Sequence, residues 1–110
     1  MSKKNSRPRA RDKGTPHYNL NEFKEILRNE NTAVVTDISI EGANKLELSR
    51  YELIEIVLNL KSSDFYKSMT HYLNYKLWQD VYRPFYKEKR LYVKIQIVDD
   101  KAVVVDFKEA

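Results

Sequence analysis

Apolar positions recur at helical spacing in the first half of the chain and at alternate positions in the second. Leu20, Phe23, Ile26 and Leu27 share one face while Glu22, Lys24, Glu25 and Arg28 fall elsewhere, which predicts an amphipathic helix over residues 19–29. Glu22 and Glu25 also suit the positive end of its dipole. A short β-prone run, Ala33 to Thr36, leads into a second short helix over 38–46, with Thr36 or Asp37 as its cap and Gly42 as an unfavourable interior residue. Ser49-Arg50-Tyr51-Glu52 spells a capping box. The helix it starts, running to about Leu60, carries Ile54, Val57 and Leu58 on one stripe and Leu53, Ile56 and Leu60 beside it, a broad apolar face suited to a sheet. Ser62 or Ser63 is expected to cap one more turn through Phe65 and Tyr66 that presents Lys67.

From Trp78 the period becomes two. A strand is expected from Trp78 to Tyr86, with Pro84 marking an edge or a bulge. Lys87 to Arg90 reads as a charged turn, and Leu91 to Val98 alternates: Leu91, Val93, Ile95 and Ile97 one way, Tyr92, Lys94 and Gln96 the other. Asp99 to Lys101 turns the chain into a last strand, Ala102 to Lys108. Val103, Val105 and Phe107 are expected on its inner face and Asp106 and Lys108 on its outer one. The whole predicts an α+β domain in which helices cover one face of an antiparallel sheet ending in a three-strand meander, and the other face is wet.

At 110 residues there is material for one core and one domain. No cysteine is present, which removes disulfides, thiolate metal sites and a Cys nucleophile, and the two histidines, His17 and His71, lie far apart. A metal or cofactor is therefore not expected. No apolar run approaches membrane-spanning length and the N-terminus is too polar for a secretory h-region, so the expected location is the cytoplasm. The net charge of +4 is unevenly spread. Residues 1–14 carry six Lys or Arg against one Asp, residues 15–60 are net acidic, and residues 61–94 hold 8 basic against 3 acidic side chains. The expectation is a disordered basic arm over 1–14, a solubilising tail or a nonspecific attractor of RNA phosphates, followed by a single domain over 15–110.

The basic charge of the domain coincides with its rings, since 9 of the 13 aromatic residues lie between Phe65 and Tyr92. Within SDFYKSMTHYLNYKLWQDVYRP, residues 63–84, six rings alternate with Lys67, Lys76 and Arg83. Rings that stack bases and cations that hold phosphates are what single-stranded nucleic acid requires of a surface, although rings in a small domain more often form its core. The strings SDFYKSMT and WQDVYRP, followed by LYVKI at 91–95 and DFKE at 106–109, resemble the motility quorum-sensing regulator (MqsR) family of mRNA interferase toxins. The likeness begins near Thr15-Pro16-His17 and is dense after Ser62. It implies a RelE-like fold and a toxin that cleaves single-stranded mRNA at GC-containing, GCU-like sites, inhibiting translation and growth. It further implies an antitoxin partner that contains zinc and a helix-turn-helix DNA-binding part, through which alone promoter DNA would be reached.

Cleaving RNA without a metal requires a group to take the 2′-hydroxyl proton, donors for the phosphorane oxygens and an acid for the departing 5′-oxygen. With so few histidines, Tyr and Lys must supply these, and the outer strand faces offer Tyr92, Lys94 and Lys108. The resemblance assigns catalytic roles to Lys67, Gln79, Tyr92 and Lys108. Tyr92 would transfer a proton, Lys67 clamp the phosphate and serve as a possible acid, Gln79 orient phosphate or base, and Lys108 add positive charge. Tyr82, Arg83 and Lys94 are expected RNA contacts, Trp78 and Asp80 structural residues, Met69 a packing residue, and His71 is given no role. Two rival readings are a non-catalytic RNA-binding module and a regulatory partner of an antitoxin repressor.

Overall fold

The computed structural model describes residues 11–110, so residues 1–10 of the expected arm lie outside the described residues. Helices α1 (Leu20–Leu27), α2 (Asp37–Lys45) and α3 (Arg50–Leu58) form where the apolar periodicity places them. Their starts are held by side chains that satisfy otherwise orphaned amides: Asn19 accepts from the Glu22 amide, Thr36 from Ser39, and Ser49 and Glu52 close a reciprocal capping box.

The strands are β1 (Asp12–Lys13), β2 (Ala33–Val35), β3 (Phe65–His71), β4 (Asn74–Tyr82), β5 (Phe85–Tyr86), β6 (Lys89–Val98) and β7 (Lys101–Glu109). They form one mostly antiparallel sheet in the order β1-β3-β4-β6-β7-β2, with β5 paired to β6 and β2 parallel to β7. The expected α+β class and the C-terminal meander are both present. Phe23 and Leu27 of α1 and Leu53 and Val57 of α3 meet Tyr82, Leu91, Val93, Ile95, Val104 and Phe107 in a single core on one face. No helix among the described residues is long and apolar enough to cross a membrane.

Four expectations require correction. Ser62–Asp64 is a turn of 3-10 helix as foreseen, but from Phe65 the chain is extended, so Lys67 stands on a strand rather than after a helical turn. β4 starts at Asn74, four residues before the expected Trp78, because pairing with β3 draws the polar end of the hairpin into the sheet. The expected arm does not run to residue 14: Asp12 and Lys13 pair with Met69 and Ser68 and close the edge of β3. Finally, a bulge shifts the β6–β7 register between Lys94 and Ile95. As a result Val104, not Val105, joins Phe107 and Ala102 in the core, and Val103 lies opposite Gln96 on the outer face.

Candidate nucleic-acid site

Directly opposed residues of an antiparallel pair share a face, so the register identifies what lies on the open side of the sheet. Lys67 on β3 is paired with Val81 on β4, Val81 with Lys94 on β6, and Lys94 with Asp106 on β7. The next row pairs Tyr92 with Lys108. On the other side of the central row Met69 is paired with Gln79, whose amide donates to the Gln96 Oε1 at 3.0 Å. Four strands thus bring Lys67, Gln79, Tyr92, Lys94 and Lys108 to one face, turned away from the helices. Val81 in their midst is fully buried although it points away from the core, with Lys67 and Lys94 as its cross-strand partners on either side.

The face carries both charge and rings. The Lys108 Nζ lies 5.0 Å and the Lys94 Nζ 5.9 Å from the centre of the Tyr92 ring. At the rim, the bulge between Phe65 and Lys67 leaves the Tyr66 ring exposed, with the Arg83 guanidinium 4.6 Å above it and the Lys67 Nζ 5.6 Å away. Asp106 pairs with Lys108 at 3.5 Å. Burial raises the Tyr92 phenol above its ordinary value, reinforced by Asp106 and Tyr66. Burial lowers the Lys94 ammonium, which Asp106 opposes and Lys108 and Lys67 reinforce. A cleft of about 280 Å³ lies on this face, lined by Met69, Gln79, Lys94 and Asp106 and flanked by Ile38 and Tyr72.

Of the residues singled out in the sequence, Lys67, Gln79, Tyr92, Lys94 and Lys108 come together and Arg83 stands beside them. Tyr82 does not. It is paired with Val93 on the helix side and is 1% exposed, and burial together with Asp80 pushes its phenol up to about 12, so it is a core residue and no RNA contact. The ring in its place is Tyr66, one residue before Lys67 in the same motif. Gln79 is buried at 3% exposure and its amide already donates to Gln96, so little of it is open to a ligand. Asp106 was also missed as a site residue, although its two-residue spacing from Lys108 already put both on one strand face.

Trp78 and Asp80 are structural, as expected. Asp80 is fully buried on the helix side and accepts from the His17 amide at 3.0 Å and the Tyr18 amide at 2.9 Å, tying the segment before α1 to β4. The His17 ring stacks on Trp78 with centroids 5.4 Å apart.

An open, basic, ring-bearing sheet face with a half-buried phenol and amine at its centre has the charge and stacking groups that an extended polyanion such as single-stranded nucleic acid requires of a surface. The family model described as "Motility quorum-sensing regulator, toxin of MqsA" matches residues 15–109. Among curated proteins, the mRNA interferase toxin MqsR of Escherichia coli (strain K12) is 37% identical over 98 residues, covering 89% of this chain and 98% of the relative. The chain belongs to the motility quorum-sensing regulator toxin family.

Proposed function

We propose that this chain is an endoribonuclease toxin that cleaves single-stranded mRNA at GC-containing, GCU-like sites by attack of the substrate's own 2′-hydroxyl, without a metal, and so inhibits translation and growth. The observation that carries this reading is the gathering of Lys67, Gln79, Tyr92, Lys94 and Lys108 from four strands onto one open face. The curated relative's name supplies the reaction class.

In the proposed reaction Tyr66 and Arg83 receive a base and a phosphate at the rim, and Lys67 and Lys108 hold the scissile phosphate. Lys94, whose pKa burial lowers, stands between Tyr92 and Asp106 on this face and is assigned the 2′-hydroxyl proton. The 2′-oxygen attacks phosphorus, the bond to the 5′-oxygen breaks, and the raised pKa of Tyr92 keeps its phenol protonated to supply that oxygen's proton. Gln79 directs its remaining amide capacity at the phosphorane oxygens. The products are a 2′,3′-cyclic phosphate and a 5′-hydroxyl. The family description implies a partner, the antitoxin MqsA; a zinc-containing, helix-turn-helix antitoxin acting in the cytoplasm completes the reading.

Single-turnover cleavage of a GCU-containing RNA by the purified chain tests this. Cleavage is expected to persist in excess EDTA, to stop when the nucleotide 5′ to the cut is 2′-deoxy, and to leave 5′-hydroxyl ends. Lys67→Ala, Gln79→Ala and Tyr92→Phe are each expected to slow it by about 10² or more. Because Gln79 is nearly buried, its variant is to be checked by thermal unfolding alongside. Wild-type binding without cleavage would favour the non-catalytic RNA-binding module, and EDTA sensitivity would overturn the metal-free scheme.

A further inference from the structure

Strand β1 precedes the residues that the family model matches, which begin at 15, yet it is bound firmly to the domain. The Arg11 amide donates to the Thr70 Oγ1 at 2.7 Å, the Thr70 amide donates to the Arg11 carbonyl at 2.8 Å, and Asp12 and Lys13 pair with Met69 and Ser68. Strand alternation then sends neighbouring side chains to opposite faces. Arg11 and Lys13 reach the helix side, where their charges sit 5.3 and 4.2 Å from the centre of the Trp78 ring. Asp12, on the same side of the sheet as its partner Met69, is delivered to the open face, where its Oδ2 lies 3.5 Å from the Lys67 Nζ.

We infer that Asp12 is a substrate-tuning residue of the RNA site: its carboxylate holds the Lys67 ammonium and competes with the RNA phosphate for it. A carboxylate and a phosphate are alternative acceptors for the same ammonium, so Asp12 weakens the hold of Lys67 on an RNA phosphate and adds a negative charge that the phosphate must approach. The pair is solvent-exposed, with side-chain exposures of 32% for Lys67 and 60% for Asp12, so the competition is weak enough to be overcome and is screened by salt. The two basic residues beside it, despite their charge, clamp Trp78 on the other face. The basic segment that composition reads as an attractor of RNA therefore contributes, through Asp12, a restraint on RNA binding.

This inference rests on the proposed function, and a double-mutant cycle on the full chain separates the two. The probe is a GCU-containing RNA oligonucleotide, 2′-O-methylated throughout so that it binds without being cut, with affinity read by fluorescence anisotropy at low salt. Asp12→Asn is expected to bind about two- to fivefold more tightly than wild type, the range for an exposed ion pair. The gain should be absent in a Lys67→Gln background, absent for Asp12→Glu, and should shrink as salt is raised. Glu30→Gln, which removes an acidic charge from the loop after α1, should leave affinity unchanged. Unchanged or weaker binding by Asp12→Asn, or an equal gain in the Lys67→Gln background, would overturn the role of Asp12. A cycle that behaves as expected beside a wild type that fails to cut unmodified RNA would overturn the nuclease reading alone, and wild type that binds no RNA would overturn both.

Discussion

Asp80 and His17 bind the chain's early segment to the sheet, and each makes a separate prediction. The Asp80 carboxylate accepts the amides of both His17 and Tyr18 in a fully buried position, so Asp80→Ala would strand those donors and is expected to cost about 2–3 kcal/mol in denaturant unfolding. His17 stacks on Trp78 with its Nδ1 3.2 Å from the Lys13 Nζ. Burial against these neighbours and the Lys13 charge lower its pKa from 6.5, only partly offset by Asp80. The unfolded chain therefore binds this proton more readily than the folded one, and the native state loses stability as pH falls below about 6.5. Because the ring keeps an exposed edge the loss is shallow. Thermal midpoints measured from pH 7.5 down to 5.5 should fall, and His17→Gln should flatten that slope.

At the scale of elements, close approaches and turn geometry decide outcomes that periodicity does not foresee. Gly42 weakens α2 as a helix former, yet a Cβ there would collide with the Phe107 carbonyl oxygen, so the glycine is what lets α2 lie against β7. Gly42→Ala should therefore destabilise the protein by about 1–3 kcal/mol despite its better helix propensity, a result checked by denaturant unfolding. The β5–β6 turn places Lys87 and Glu88 at φ 48° and 70°, as the two-residue hairpin turn demands, although neither favours it. Glu88→Gly is expected to raise stability by about 1 kcal/mol in the same measurement. The helices were legible because their caps and stripes are local: Thr36 and the Ser49–Glu52 box hold where the spelling puts them. Strand β3 was misread because Phe65 to His71 has no clean period. Its outer edge is sealed by β1 and its inner edge by β4, and such pairings exist only once distant segments meet.

For the whole molecule, the division of the sheet into a helix-covered face and an open one predicts where RNA acts. Titrating the chain with the methylated oligonucleotide should shift the amide resonances of Lys67, Gln79, Lys94 and Lys108 and leave Phe23 and Leu53, on the helix-covered face, unmoved. Residue chemistry made Tyr92, Lys94 and Lys108 candidates, since a scarcity of histidine leaves Lys and Tyr and alternation puts Tyr92 and Lys94 on one side of a strand, whereas Lys67 and Gln79 were singled out by the family resemblance. The order of helices, the existence of the last two turns and the α+β class likewise follow from spacing within short segments, because helical and strand periods are properties of neighbours in the chain. The turns themselves are tighter than the expected 87–90 and 99–101, because Lys89, Arg90 and Lys101 pair into strands. Tertiary structure alone decided that Tyr82 is core and Tyr66 is rim, that Val104 rather than Val105 points inward, and that Asp12 meets Lys67 from 55 residues away. Each depends on a register or a bulge, and one residue of slip reverses every side chain of a strand. Register is set by the partner strand, which no local pattern contains.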